Sequence, residues 1–204
     1  VNLTSGSWEV EEPDELFYVQ PRFVTHIDDN AIAAVTQLYI EQFPVGGAIL
    51  DLMSSWVSHL PEDVEYGRVV GVGMNADELA ANPRLDTYFV QDLNAEAHLP
   101  FKEGEFDGAA ICVSIQYLTQ PVDVLREVGR VLKPNAPLVI TFSNRCFPTK
   151  AIAIWQSLDD KGHVRLVESY LQDTDMFATI LSHNRTSRKW GSDPLYSVIG
   201  KRKG

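Results

Sequence analysis

Short apolar runs alternate along most of the chain with segments of helical periodicity. Apolar runs without polar alternation are typical of strands that are buried on both faces of a parallel sheet. Between the runs, apolar residues recur near the helical spacing, as at Val124, Leu125, Val128 and Leu132. Such alternation predicts βαβ units and an open sheet covered by helices on both faces. The predicted strands are 48–52, 68–72, 88–90, 108–114 and 137–142, and the predicted helices are 28–42, 55–60, 75–81, 122–132, 150–156 and 166–172.

The last part of the chain shows a different pattern. Two strand-like runs, 177–186 and 195–201, flank a turn-rich segment at 189–194, which predicts a hairpin. One antiparallel strand is then inserted into an otherwise parallel sheet. The predicted fold class is α/β, a Rossmann-like doubly wound sheet with a C-terminal antiparallel hairpin strand. We expect one domain over residues 1–204, with an N-terminal helical cap segment at 1–47 and the sheet core at 48–204.

Composition narrows the class of partner. The 204 residues carry a formal net charge of −11, which disfavours nucleic acid and anionic membrane surfaces, because both attract basic side chains. The apolar runs are far shorter than the roughly 20 residues that span a bilayer. Acidic Glu9, Glu11 and Glu12 stand where a secretion signal would need a basic and then an apolar segment. Cys112 and Cys146 have no disulfide or metal-ligand spacing, so a cytoplasmic protein without metal is expected.

Polar side chains follow several predicted strands directly. Asp51 lies in the first strand, Asn75 follows the second and Asp92 the third, while Gln116 and Tyr117 follow the fourth. In a doubly wound sheet, ligands bind beyond the carboxyl ends of the strands, where the strand order reverses. The sequence therefore predicts a small-molecule crevice at this edge of the sheet.

The segment 126–144 reads REVGRVLKP and, after two residues, PLVITFSN. With the strand-and-loop spacing before it, this segment resembles the class I S-adenosylmethionine-dependent methyltransferases, specifically the type 11 group, over about residues 49–144. The resemblance implies a seven-stranded sheet, S-adenosylmethionine as cofactor and in-line methyl transfer. The acidic net charge favours a small organic acceptor over nucleic acid. Methyl transfer from a sulfonium mainly requires alignment and a dry pocket, so no catalytic residue is predicted.

The cofactor turn departs from the family pattern. Members of the family place Asp-x-Gly-x-Gly-x-Gly after the first strand, whereas residues 51–57 here read DLMSSWV. The acid that ends the second strand in the family, and that binds the ribose, is replaced by Gly73. We expect Ser54 and Ser55 to begin a helix whose amide groups hold the methionine carboxylate, and Asn75 to reach the ribose. The alternative is that the two serines only cap a helix in a site that no longer binds.

The resemblance also implies individual contacts. Asp92 accepts from the adenine amino group, the Leu93 amide meets the ring, Met74 covers one face, and Tyr18 and Arg22 close over the methionine carboxylate. The alternatives are an Asx turn at Asp92, core packing for Met74 and a surface ion pair for Arg22. His26 and His59 form no constellation in the sequence. The predicted cofactor residues are Asp51, Ser54, Ser55, Trp56, Gly73, Met74, Asn75, Asp92, Leu93, Ser114, Tyr18 and Arg22, and the predicted acceptor residues are Gln116, Tyr117, Asn144 and Arg145.

Three functions are compatible with these patterns. The leading hypothesis is an S-adenosylmethionine-dependent methyltransferase that acts on a small organic molecule. The alternative is a catalytically inactive protein of the same fold with a binding or regulatory role. A nicotinamide-dependent oxidoreductase is the weakest, because Gly-x-Gly-x-x-Gly is absent after the first strand. The sequence makes no prediction of the oligomeric state.

Overall fold

The computed structural model describes residues 14–204, built around a seven-stranded sheet with the order β3-β2-β1-β4-β5-β7-β6. The acidic Glu9, Glu11 and Glu12 and the start of the predicted cap segment lie outside the described residues. The strands are β1 Ala48–Leu52, β2 Arg68–Gly73, β3 Thr87–Val90, β4 Gly108–Cys112, β5 Pro137–Phe142, β6 Phe177–Asn184 and β7 Tyr196–Arg202, and the helices are α1 Asp14–Phe17, α2 Asp29–Gln42, α3 Ala76–Ala81, α4 Pro121–Val131, α5 Ala153–Gln156 and α6 Asp160–Asp173.

The topology confirms the predicted doubly wound sheet. Strand pairs from β3 across to β5 are parallel, and β7 is antiparallel to both β5 and β6. The strand order reverses between β1 and β4, which lie side by side with Leu50 opposite Ala109. The carboxyl ends of β1, β2, β3 and β4 therefore share one edge, as the prediction of a crevice requires.

Apolar side chains form one core on each face of the sheet. On one face, α4 turns Val124, Leu125 and Val128 inward, all fully buried, against β4 and β5. On the other, α2 packs Val35 and Leu38 against the sheet. Asp28 caps α2 by accepting from the Ala31 amide at 2.8 Å, as its position in the sequence predicts. No helix in residues 14–204 is long and apolar enough to cross a membrane.

The predicted helix at 55–60 is wrong. Residues 53–67, all of them described, connect β1 to β2 without a helical turn. The Ser54 amide donates to the Val72 carbonyl at 2.8 Å, and Met53 and His59 have φ of 53° and 55°. The hydrogen bond and the two left-handed residues carry the loop backbone across the end of β2. The spacing of Trp56, Val57 and Leu60 suits a helix, but long-range bonds set the conformation instead.

Three smaller differences concern boundaries. The last long helix, α6, begins at Asp160 rather than 166, because the Asp159 side chain caps it by accepting from the Gly162 amide at 2.8 Å. Of the predicted helix 150–156, only α5 is helical. β4 ends at Cys112, because Val113 has φ of 49° and cannot continue a strand.

Candidate functional site

A cleft opens along the edge where β1, β2, β3 and β4 end. Its volume is about 1240 Å³ when the space at its open mouth is included. All twelve residues predicted to hold a cofactor line it, including Tyr18 and Arg22 from the segment before α2. Residues that are far apart in the sequence therefore meet at one place, and we call this place the first cleft.

A second cleft adjoins the first. Its walls include Tyr117, Asn144 and Arg145, three of the four residues predicted to contact an acceptor. His26, Tyr117 and Phe147 line both clefts and form their junction. Gln116 lines neither of them, because its side chain is fully buried and donates to the Val113 carbonyl at 3.0 Å.

Asp51 lies at the floor of the first cleft and is almost fully buried. Its Oδ2 accepts hydrogen bonds from the hydroxyls of Ser54 at 2.6 Å and Ser58 at 2.7 Å, and Asn82 donates to the Ser58 hydroxyl. Burial raises the pKa of Asp51 to about 6, although the two hydroxyl donors act to lower it. The carboxyl group is thus held in place by two serines of the loop that stands in place of the family's glycine turn.

The loop after β1 leaves no room for a side chain at Gly73. A Cβ at this position would lie 2.2 Å from the Ser54 carbonyl oxygen, which no real contact allows. The path of residues 53–60 therefore excludes the acid that the family places there. The predicted helix N-terminus at Ser54 and Ser55 is also absent, and the Ser54 amide is already bonded within the sheet.

Glu78 is a site residue that the sequence analysis missed. It lies on α3, where it lines the first cleft and accepts from the Ser55 hydroxyl at 2.5 Å and from the Arg22 amide at 2.7 Å. Asn75, predicted to reach a ribose, is engaged at both ends of its amide: Oδ1 caps α3, and Nδ2 donates to the carbonyls of Tyr18 and Val19. The only acid that α3 turns into this cleft is therefore Glu78.

Residues 18–26, which we call the strap, cover one side of the first cleft. Besides the bonds from Asn75 and to Glu78, the Trp56 indole donates to the Val24 carbonyl at 3.1 Å. The Arg22 guanidinium lies 4.1 Å from the centre of the Phe17 ring and 5.7 Å from that of Phe147, a cation–π arrangement. The strap is thus attached to the loop after β1 and to α3.

The backbone is strained at the floor of the first cleft. Met53, His59 and Val113 have positive φ, which costs about 1–3 kcal/mol each for residues other than glycine. Met53 follows β1 and Val113 follows β4, the two strands at the switch point. Next to Val113, the Ser114 hydroxyl is buried without a hydrogen-bond partner. Strain and an unsatisfied polar group at one position point to a ligand site.

The loop after β3 holds Asp92 in an Asx turn, which the sequence offers as the alternative to binding adenine. Its Oδ1 accepts from the Asn94 amide at 2.8 Å, and its carbonyl accepts from the Glu96 amide. Asp92 nevertheless lines the first cleft with Leu93 and the half-buried Met74. Asp92 therefore both forms the Asx turn and lines the first cleft.

Two histidines that are far apart in the sequence meet at this site. His26 belongs to the strap and His59 to the loop after β1, and both line the first cleft. Burial lowers the pKa of His59 to about 4, with a contribution from His26. Burial also lowers the pKa of His26, opposed by Glu78 and reinforced by Arg22. Only the course of the strap brings them together, so no sequence pattern signals the pair.

Comparisons with known proteins show a similarity to methyltransferases. Residues 52–140 match the family described as "Methyltransferase domain". The demethylmenaquinone methyltransferase of Lactiplantibacillus plantarum is 28% identical over 62% of this chain, and the match spans 61% of that protein. The chain thus spans about three fifths of the length of this curated relative.

Solved structures share the fold. A chain from the complex between the Haloferax volcanii Trm112 methyltransferase activator and a methyltransferase has a TM-score of 0.62 at 14% identity, covering 86% of this chain and 91% of that one. An S-adenosylmethionine-dependent methyltransferase from Aquifex aeolicus has a TM-score of 0.59 at 14% identity, covering 85% and 91%. The fold is that of the class I methyltransferases. In sequence over residues 52–140 and in fold, the chain is similar to S-adenosylmethionine-dependent methyltransferases of that class.

Proposed function

We propose that the chain transfers a methyl group from S-adenosylmethionine, bound in the first cleft, to a small organic acceptor bound in the second. The observation that carries the proposal is the junction of the two clefts at His26, Tyr117 and Phe147. A cofactor and an acceptor in separate, adjoining clefts meet there, which is the arrangement that direct transfer requires.

The residues of the first cleft fit a nucleoside with a charged amino-acid tail. The Ser114 hydroxyl is buried and unpartnered, and a ligand atom would satisfy it. Asp51, which lines the same cleft from β1, suits an ammonium group. Arg22 lies over the aromatic rings of Phe17 and Phe147 and supplies a cation for a carboxylate. These residues would hold the methionine end of the cofactor.

Glu78 supports the ribose in this proposal. Each of its oxygens accepts one hydrogen bond, and a carboxylate oxygen has capacity for another. It therefore replaces the acid that Gly73 cannot carry. Asp92, the Leu93 amide and Met74 would hold the adenine, as the resemblance implies, with Asp92 keeping its Asx turn.

The second cleft suits a small acceptor rather than a polymer. Arg145 donates to Asp193 at 2.7 Å, yet its side chain remains 62% exposed. Tyr117 accepts from the Phe147 amide at 2.9 Å, which fixes its hydroxyl at the junction. The net charge of −11 argues against nucleic acid. When bound, S-adenosylmethionine supplies an activated methyl group, and the residues of this chain align the acceptor and exclude water.

A catalytically inactive binding protein is the second candidate. It is favoured by the way in which polar groups of the first cleft satisfy one another: Asp51 with Ser54 and Ser58, and Glu78 with Ser55. A site that has lost its ligand is expected to close upon itself in this way. We also propose a cytoplasmic location and a single domain, in keeping with the sequence.

Calorimetric titration with S-adenosylmethionine and S-adenosylhomocysteine tests the proposal. We expect both to bind to the wild-type chain. Glu78→Gln and Asp92→Ala should each weaken binding by about 1–3 kcal/mol, the usual cost of losing a hydrogen bond to a charged group. Asp77→Asn, the exposed neighbour of Glu78 on α3, is the matched control and should bind like the wild type.

The outcomes separate the two candidates. No heat with either compound at millimolar concentration would remove the enzyme and favour the inactive protein. Binding that Glu78→Gln leaves unchanged would refute only the ribose assignment. If binding occurs, release of S-adenosylhomocysteine during incubation with a panel of small amines, phenols and quinols identifies the acceptor class.

A further inference from the structure

We propose that His26 is the proton acceptor for methyl transfer, and that the acceptor is a protic nucleophile seated in the second cleft. The proposal rests on the proposed function. His26 lines both clefts at their junction, where an acceptor atom must lie if it is to receive a methyl group from the first cleft.

The other residues of the junction cannot take this role. Phe147 carries no base, and burial raises the pKa of Tyr117 above its usual value near 10, so Tyr117 remains a neutral phenol. Cys146 lines the second cleft, but burial raises its pKa as well. His26 packs edge-on against Phe147 with a centroid distance of 5.1 Å. Among the described residues at the junction, it is the side chain whose neutral form accepts a proton near pH 7.

The charges that face His26 come from several elements. Arg22 lies on the same strap, Glu78 on α3 and His59 in the loop after β1, while Arg145 shares the second cleft. Burial and Arg22 favour the neutral imidazole, which is the form that takes up a proton. Glu78 favours the imidazolium, which is the form produced. Although the packing around it desolvates part of the ring, His26 keeps a solvent-exposed surface, so the proton has a route out of the site.

The step balances as a displacement. The electron pair of the acceptor forms the new bond to the methyl carbon, and the electrons of the broken carbon–sulfur bond stay on sulfur. The proton of the acceptor passes to the imidazole nitrogen of His26 and then to water. No oxidant, reductant or metal takes part.

The test is an NMR titration of the His26 ring in the full chain, assigned with His26→Gln. It compares the free protein with its complexes with S-adenosylmethionine and S-adenosylhomocysteine, which differ by one positive charge. At the junction, that charge should lower the pKa of His26 by about half a unit or more. Below pH 7 the affinity ratio of the two compounds should then vary with pH in the wild type and in His183→Gln, which changes an exposed histidine on β6 outside both clefts. In His26→Gln the ratio should vary distinctly less, leaving only the titration of the remaining groups of the cleft such as Asp51.

Each result decides a separate question. A pKa of His26 below 7 in both complexes, with the lower value in the S-adenosylmethionine complex, supports the proposal. Equal values in the two complexes would place His26 away from the methyl group, and a ring that stays almost fully protonated in the S-adenosylmethionine complex at the pH of activity would be unable to act as a base. Either would overturn the role of His26 with cofactor binding intact, whereas failure of both compounds to bind would remove the proposed function itself.

Discussion

The two halves of the sheet follow the same family plan with different fidelity. In the downstream half, β4, β5 and α4 pack with fully buried apolar side chains and the expected connections. In the upstream half, the helix between β1 and β2 is absent, and β3 leaves Tyr88, Phe89 and Val90 exposed. Local apolar pattern governs the downstream half, while long-range polar bonds govern the upstream one.

The difference shows which half of the sheet departs from the family pattern. The downstream half supplies the scaffold, and its core leaves little freedom for change. The upstream half carries most of the first cleft, where the glycine turn has been exchanged for a network around Asp51 and Glu78. The comparison therefore predicts that stability resides downstream and ligand specificity upstream, which the following four experiments test.

The largest expected effect compares two phenylalanines. Phe142 on β5 is 0% exposed and touches the rings of Trp155 and Tyr196, whereas Phe89 on β3 is 39% exposed. We expect Phe142→Ala to lower the free energy of unfolding by about 4 kcal/mol, because it removes a buried ring and leaves a cavity. Phe89→Ala, the matched control, should cost about 1 kcal/mol or less. Urea denaturation measures both, and equal losses would contradict the division of the sheet.

The next effect concerns restoring the family's acid. Gly73→Asp should destabilise the chain by about 3 kcal/mol, because its Cβ meets the Ser54 carbonyl. Gly73→Ala carries the same Cβ without the carboxylate and should lose a similar amount, as measured by thermal or urea unfolding. If Gly73→Asp proved as stable as the wild type, the loop 53–60 would have to yield easily, and the steric account of the missing acid would be wrong.

A third experiment compares Asp51 and Asp107, whose contributions to stability should depend on pH in opposite directions. The pKa of Asp51 is raised to about 6 in the folded state, so its favourable contribution to folding is present below about pH 4 and is lost as pH rises through 6. Asp51→Asn should therefore gain about 2 kcal/mol relative to the wild type between pH 4 and 7. Unfolding free energies at several pH values measure this gain, and a constant difference across the range would refute a raised pKa.

Asp107 in the downstream half is the control for that experiment. Burial acts to raise its pKa, but hydrogen bonds from the Lys133 ammonium and the Ala48 amide produce a net lowering. Its contribution to folding is therefore present above the unfolded pKa and is lost as pH falls through the folded value. Asp107→Asn should be less stable than the wild type at pH 7, and the two should converge in acid.

The smallest effect compares two helix caps. Asn75 caps α3 and also holds the strap, whereas Asp159 caps only α6. Serine keeps a capping oxygen at either position, so Asn75→Ser and Asp159→Ser should each cost about 0.5–1 kcal/mol or less. Only Asn75→Ser should speed hydrogen exchange at the Arg22 amide. Equal exchange in both variants would show that the strap is held without Asn75.

The sequence was a good guide where structure is local. The strands, the helices α2 and α4, and the antiparallel β7 follow from apolar spacing. The polar residues after β1 to β4 line the clefts at one edge of the sheet, with the exception of the buried Gln116. The loop 53–67 could not be predicted, because the Ser54 amide bonds to Val72 of the next strand. Glu78 and the meeting of His26 with His59 were missed for the same reason, since no local pattern records which distant segments touch.

The position of β7 between β5 and β6 has a consequence for synthesis on the ribosome. Among the described strands, β6 pairs with β7 alone, although β6 is translated first. At typical elongation rates of about 5–20 residues per second, β6 waits roughly one to four seconds for its partner. Until β7 is available, β6 has no partner among the described strands, so its edge can be satisfied only by water or by another chain.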